Sequence, residues 1–151
     1  MAEKRTRVRA IIINNEKIIS MYREKPDRIF YTFPGGGAEE NETEQECVIR
    51  EVYEEFGINI EPIKKVYTYE NNISVEHFYI CKWVGGEFGT GKGEEFTKEH
   101  TKGIYKPTMI NITDIPNLPL MPPEVAKQFY EDYLLNKTEV RNDVKFLNAT
   151  N

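Results

Sequence analysis

Two cysteines, two histidines and one tryptophan in 151 residues leave the chain few soft metal ligands and no material for a disulfide framework. Cys47 and Cys81 are far apart and lack CxxC spacing, so they read as buried, reduced thiols. Basic residues are in deficit as well, 20 Lys and Arg against 25 Asp and Glu, for a net charge of −5. That balance opposes general binding to nucleic-acid polymers or anionic membranes, which need a basic surface, and a polyphosphate would need cations to approach. Missing too are a secretory leader and any apolar run of membrane-spanning length, so no membrane partner is expected and the cytoplasm is the expected compartment. There is no repeat, low-complexity tract or internal boundary. One domain over residues 1–151 is expected, large enough to bury a core without disulfides or a structural metal.

What the chain does have is a concentrated acidic stretch, GGAEENETEQECVIREVYEEFGI, at residues 36–58. Thr43 followed by Glu46 is capping-box spacing and Gly57 suits the left-handed residue that closes a helix, so a helix over about residues 43–56 is expected. On it Glu51, Glu54 and Glu55 fall at i, i+3 and i+4, which places three carboxylates on an arc of roughly 100°. Like charges at that spacing repel by about 0.2–0.5 kcal/mol per pair, and the negative end of the helix dipole gives them no support. A local rule broken without structural gain points to a site, and carboxylates without histidine or thiolate partners suit Mg²⁺ or Mn²⁺ better than zinc. The apolar positions Val48, Ile49, Val52, Tyr53 and Phe56 are expected to pack on a diverging face. Arg50 lies four residues from both Glu46 and Glu54, within reach of intrahelical ion pairing.

In these residues the chain resembles the Nudix hydrolases, MutT-like enzymes whose signature it matches at Gly36, Glu42, Arg50, Glu51, Val52, Glu54, Glu55, Gly57 and Ile58. No fixed position departs from that pattern. The resemblance implies an α/β/α sandwich of mixed sheets around the signature helix, and hydrolysis of a nucleoside diphosphate linked to another moiety. It implies Mg²⁺ or Mn²⁺ held by Glu51, Glu54, Glu55 and the Gly36 carbonyl, with Arg50 orienting the glutamates. It further implies a supplementary glutamate from a late loop, for which Glu94, Glu95 and Glu99 are candidates and Glu95 is preferred. Glu54 and that loop glutamate both remain open as the base that takes a proton from water. Gly35, Gly36 and Gly37 are expected in a tight turn where backbone approaches substrate, and Arg23 is a candidate for the phosphates, against a plain surface role. The alternative function is a non-catalytic Nudix-like nucleotide-binding or sensing module; a plain acidic helix would predict no metal dependence. A homodimer is left open.

The remaining chain predicts a hairpin over residues 7–13 and 17–23, a short strand over 29–33 and a longer hairpin over 63–70 and 74–84. A lone His77 in that hairpin is expected to be structural. A loop rich in Gly, Glu and Lys follows over 85–103. Residues 105–112 are expected to form a strand broken at Pro107, and 124–135 a second amphipathic helix near the C-terminus. Residues 136–151 are expected either as a flexible tail or as a short strand through 144–147.

Overall fold

The computed structural model describes residues 3–91 and 103–150. The chain runs β1 (Arg5–Asn14), β2 (Lys17–Lys25), β3 (Arg28–Thr32), β4 (Gly35–Gly37), α1 (Glu44–Phe56), β5 (Ile58–Glu70), β6 (Ser74–Gly86) and β7 (Ile104–Asn111). A 3₁₀ segment (Ile112–Asn117), β8 (Leu120–Met121), α2 (Pro123–Asn136), a second 3₁₀ turn (Lys137–Glu139) and β9 (Lys145–Asn148) complete it. Strands lie in the order β8-β3-β2-β1-β6-β5-β9, with β4 added to β1 and β7 to β2. Parallel pairs (β1 with β6, β3 with β8, β5 with β9) mix with antiparallel ones.

The alternation of β1 explains the layering. Val8, Ala10 and Ile12 enter one apolar cluster with Cys47, Val48, Val52 and Phe56 of α1, while Ile11 enters another with Val125, Phe129 and Tyr133 of α2. Successive strand side chains point to opposite faces, so a strand buried on both faces needs apolar residues without interruption, as residues 10–12 provide. The result is the expected α/β/α sandwich, with helices on both faces of mixed sheet.

Several elements depart from the expected ones. The first hairpin turns at Asn15 and Glu16, both at positive φ, but β1 and β2 pair only at Ile13↔Ile18 and Asn14↔Lys17. Beyond that point β1 takes β6 and β4 as its neighbours. Pro107 does not break β7, which pairs with β2 from Ile104 to Asn111 and, among the described strands, with no other. An edge strand tolerates a residue that cannot donate. The three glycines form not a tight turn but the short strand β4, antiparallel to β1. At the C-terminus the strand alternative holds: Lys145–Asn148 pairs with β5.

Candidate active site

Thr43 caps α1 as its spacing requires: its Oγ1 accepts the Glu46 N–H at 3.0 Å, and Glu46 Oε1 accepts the Thr43 N–H at 2.9 Å. Gly57 ends the helix at φ +78° and donates to the Tyr53 carbonyl. The buried side of α1 is turned from the expected one. Cys47 joins Val48, Val52 and Phe56 inside, and Glu55 is only 9% exposed, whereas Ile49 and Tyr53 are 39% and 55% exposed.

That rotation puts the acidic face against β4. Glu55 accepts the Gly35 N–H on Oε1 at 3.2 Å. Gly35 sits at φ +138°, and a Cβ there would fall 2.1 Å from the Val8 carbonyl oxygen. At Gly36 a Cβ would lie 2.5 Å from the Glu51 carboxyl carbon, so glycine is what lets that carboxylate rest on the strand backbone. Behind it the buried Cys47 thiol donates to the Gly36 carbonyl at 3.6 Å; burial pushes this thiol up to about 11, which keeps it protonated and able to donate.

Arg50 is the hub. Its Nε and Nη2 form a fork on Glu42 at 2.7 and 3.0 Å, Nη2 also donates to the Gly37 carbonyl at 3.2 Å, and Nη1 lies 3.3 Å from both Glu51 and Glu54. The fork holds the Glu42 carboxyl down to about 2, and the same carboxylate is the main reason that the guanidinium is held protonated more firmly than usual. The expected pair with Glu54 is present. Glu46 instead spends its carboxylate on the cap, and Glu42 takes the arginine.

Of the expected site residues, the structure gathers Gly35, Gly36, Gly37, Arg50, Glu51, Glu54 and Glu55 at the junction of β4 and α1. Among the described residues, no three acidic, histidine or cysteine side chains close around one point. Glu51 and Glu54 instead flank the Arg50 guanidinium, a cation already placed between them. The donor set fits a hard divalent ion, since it offers carboxylate oxygens beside backbone carbonyls, a half-exposed and mobile-length Glu54, and a thiol kept neutral. Arg23 is stacked 3.8 Å over the Tyr105 ring and bonded to its hydroxyl. Glu94, Glu95 and Glu99 lie outside the described residues. His77 is structural as expected, between Thr68 at 3.2 Å and Glu44 at 3.5 Å, and burial lowers its proton affinity.

Sequence reasoning missed two partners here. Glu42 was a fixed signature position without an assigned contact, which was itself a signal. Arg9 gave none: from the α2 face of β1 it donates to the Phe33 and Gly35 carbonyls at 3.2 and 3.1 Å and pairs with Glu76 at 3.1 Å. Arg9 and Glu76 also line a groove of about 260 Å³ with Thr32, Tyr69, Asn71 and Met121.

Known proteins share the sequence family and the fold. The chain is 32% identical over 59 residues to an 8-oxo-dGTP diphosphatase from Proteus vulgaris, a stretch covering 36% of this chain and 53% of the relative, about half of its length. It shares its fold with a NUDIX hydrolase from Nitrosomonas europaea (TM-score 0.72, 16% identity, 98% of this chain and 80% of that one). An ADP-ribose pyrophosphatase from Streptococcus suis (TM-score 0.61, 20% identity, 97% and 99%) and a UDP-X diphosphatase (TM-score 0.65, 20% identity, 97% and 68%) have the same fold. The family model for the NUDIX domain matches residues 3–129, and with most of its length matched the chain belongs to the NUDIX domain family.

Proposed function

We propose that the protein is a hydrolase that cleaves a pyrophosphate bond in a nucleoside diphosphate linked to another moiety, with Mg²⁺ or Mn²⁺ as cofactor. The observation that carries this reading is the Arg50 hub, whose Nη1 holds both Glu51 and Glu54 while Glu42 and the Gly37 carbonyl clamp the rest of the guanidinium. Glu51, Glu54, Glu55 and the Gly36 carbonyl would hold the metal, which when bound supplies charge neutralisation on the phosphate oxygens and a lower pKa for water. Arg50 keeps Glu51 and Glu54 from repelling one another and fixes their direction. Glu54, the more exposed of the two at 50%, is one candidate to take the proton as water oxygen bonds to phosphorus and the bridging P–O bond breaks; Glu94, Glu95 and Glu99, with Glu95 preferred, are the others. The strap of glycines would bring backbone close to the phosphates beside the carboxylates of α1.

The relatives' names span an oxidised nucleoside triphosphate, ADP-ribose and UDP derivatives, so the substrate class stays at a nucleoside diphosphate joined to a phosphate, a sugar or a second nucleotide. Screening nucleoside triphosphates, nucleotide sugars and dinucleoside polyphosphates with Mg²⁺ and with excess chelator tests the reading. Turnover that needs the metal and falls by orders of magnitude in Glu54→Gln and Glu55→Gln is expected. Undiminished activity in chelator would refute the metal role. Tight nucleotide binding without turnover in any divalent metal would favour a sensing module.

A further inference from the structure

We infer that Arg9 is a positioning residue, held by Glu76, that sets the height of the glycine strap and through it the geometry with which Glu51 and Glu55 meet a divalent cation. Gly35 is gripped from both faces of the sheet, at the N–H of one peptide unit and the carbonyl of the next. From the α1 side Glu55 accepts its N–H at 3.2 Å; from the α2 side Arg9 Nη1 donates to its carbonyl at 3.1 Å and to that of Phe33 at 3.2 Å. Gly35 needs such a grip. At φ +138° it occupies backbone space that does not hold itself in place, and β4 is only three residues long.

Arg9 is in turn fixed. Its Nε donates to Glu76 Oε1 at 3.1 Å, and Ser74 Oγ donates to Glu76 Oε2 at 3.3 Å. Both ionic side chains are largely withdrawn from water, at 17% and 12% exposure, so the guanidinium has few alternative orientations. A planar fork can bond a carboxylate and two carbonyls at once, which a lysine ammonium on a flexible stem cannot do with the same direction. Moving the strap would shift the Gly36 backbone, on which the Glu51 carboxylate rests, and release Glu55 from the Gly35 N–H.

The inference rests on the metal-dependent reading above, but its test does not rest on turnover. Mn²⁺ dissociation constants, measured by electron paramagnetic resonance or calorimetry well below the melting temperature, are compared for the parent, Arg9→Met, Arg9→Lys, Glu76→Gln and Arg9→Met/Glu76→Met. Weakening of at least tenfold is expected in Arg9→Met, with Arg9→Lys and Glu76→Gln intermediate. The double variant, which leaves no buried charge unpaired, should bind as weakly as Arg9→Met while melting closer to the parent. A folded variant set that melts lower yet keeps the parent constant would make the pair merely structural and overturn the inference; if Arg9→Met does not fold, unchanged constants in Arg9→Lys and Glu76→Gln overturn it equally. A raised substrate KM at constant Mn²⁺ affinity would also overturn it, by placing Arg9 on the substrate. A parent that binds Mn²⁺ but hydrolyses nothing refutes the proposed reaction and leaves the Mn²⁺ constants to decide on Arg9. A parent that binds no Mn²⁺ refutes both.

Discussion

At the scale of single residues, Glu42 shows how much of an acidic site can be structural. Its carboxyl is held down to about 2 chiefly by the Arg50 fork, against an ordinary value of 4.5. A group with a depressed folded-state pKa stabilises fully above its unfolded value and loses that contribution as pH falls through the folded value. The Glu42–Arg50 bond should therefore contribute in full above about pH 4.5 and fade between there and about pH 2. Glu42→Gln is expected to cost roughly 1.5–3 kcal/mol at neutral pH and to melt with a flatter pH dependence in that window. Equal slopes for parent and variant in melting scans from pH 6 to 2 would show that the fork is not the source. The sequence offered Arg50 both Glu54, which it does pair with, and Glu46, which it does not. Glu46 was legible as a capping residue too, and a side chain with two uses goes to the one that satisfies an otherwise open N–H at the helix start.

At the scale of elements, α1 was the most legible because its signals are local. Cap, capping box and terminal glycine all stand within thirteen residues of helix and its two flanks. Thr43→Ala should cost about 1 kcal/mol and leave turnover unchanged, whereas Gly57→Ala should cost more. Its φ of +78° penalises an L side chain by roughly 1–2 kcal/mol, and the added Cβ would meet the Thr90 hydroxyl at 2.0 Å. Denaturant melts of the two variants check the order; a Gly57→Ala protein as stable as the parent would remove the cap from the account. Less local features were hidden. Cys47 is buried as expected, but the inward turn of Glu55 depends on β4 lying against the helix, and no periodicity within α1 reports that neighbour. The edge position of β7, which makes Pro107 harmless, and the parallel pairings of β8 and β9 are set by strands distant in sequence. Arg9 belongs to the same class: a cation in an apolar strand declares nothing until the sheet sets Glu76 beside it.

At the scale of the whole molecule, the sheet divides two apolar clusters, one under α1 with the candidate site and one under α2. Apart from the Arg9–Glu76 pair, which touches the glycine strap from the α2 side, stability and metal affinity should therefore respond to different residues. Asp132 of α2 accepts the Tyr67 hydroxyl at 2.6 Å, Arg141 at 2.9 Å and Gln128 at 3.1 Å, all on the face away from α1. Asp132→Ala strands a buried phenol and removes one of the two carboxylate partners of Arg141, and should cost roughly 2–3 kcal/mol. Glu55→Gln keeps a carbonyl oxygen for the Gly35 N–H, so the metal-free protein should melt near the parent. Divalent metal at about a hundredfold over its dissociation constant adds about 2.7 kcal/mol to a folded state that alone binds it. For a chain of this length that is a rise of roughly 5–10 °C, at about 2–4 °C per kcal/mol. Asp132→Ala should melt low yet keep the whole metal-induced rise, and Glu55→Gln should melt normally and lose most of it. Calorimetric scans of the three proteins with Mg²⁺ and with chelator decide the matter. A reduced metal-induced rise in Asp132→Ala would mean that the polar network under α2 is coupled to the site as the Arg9–Glu76 pair is inferred to be, and the independence of Asp132 from metal affinity would have to be abandoned.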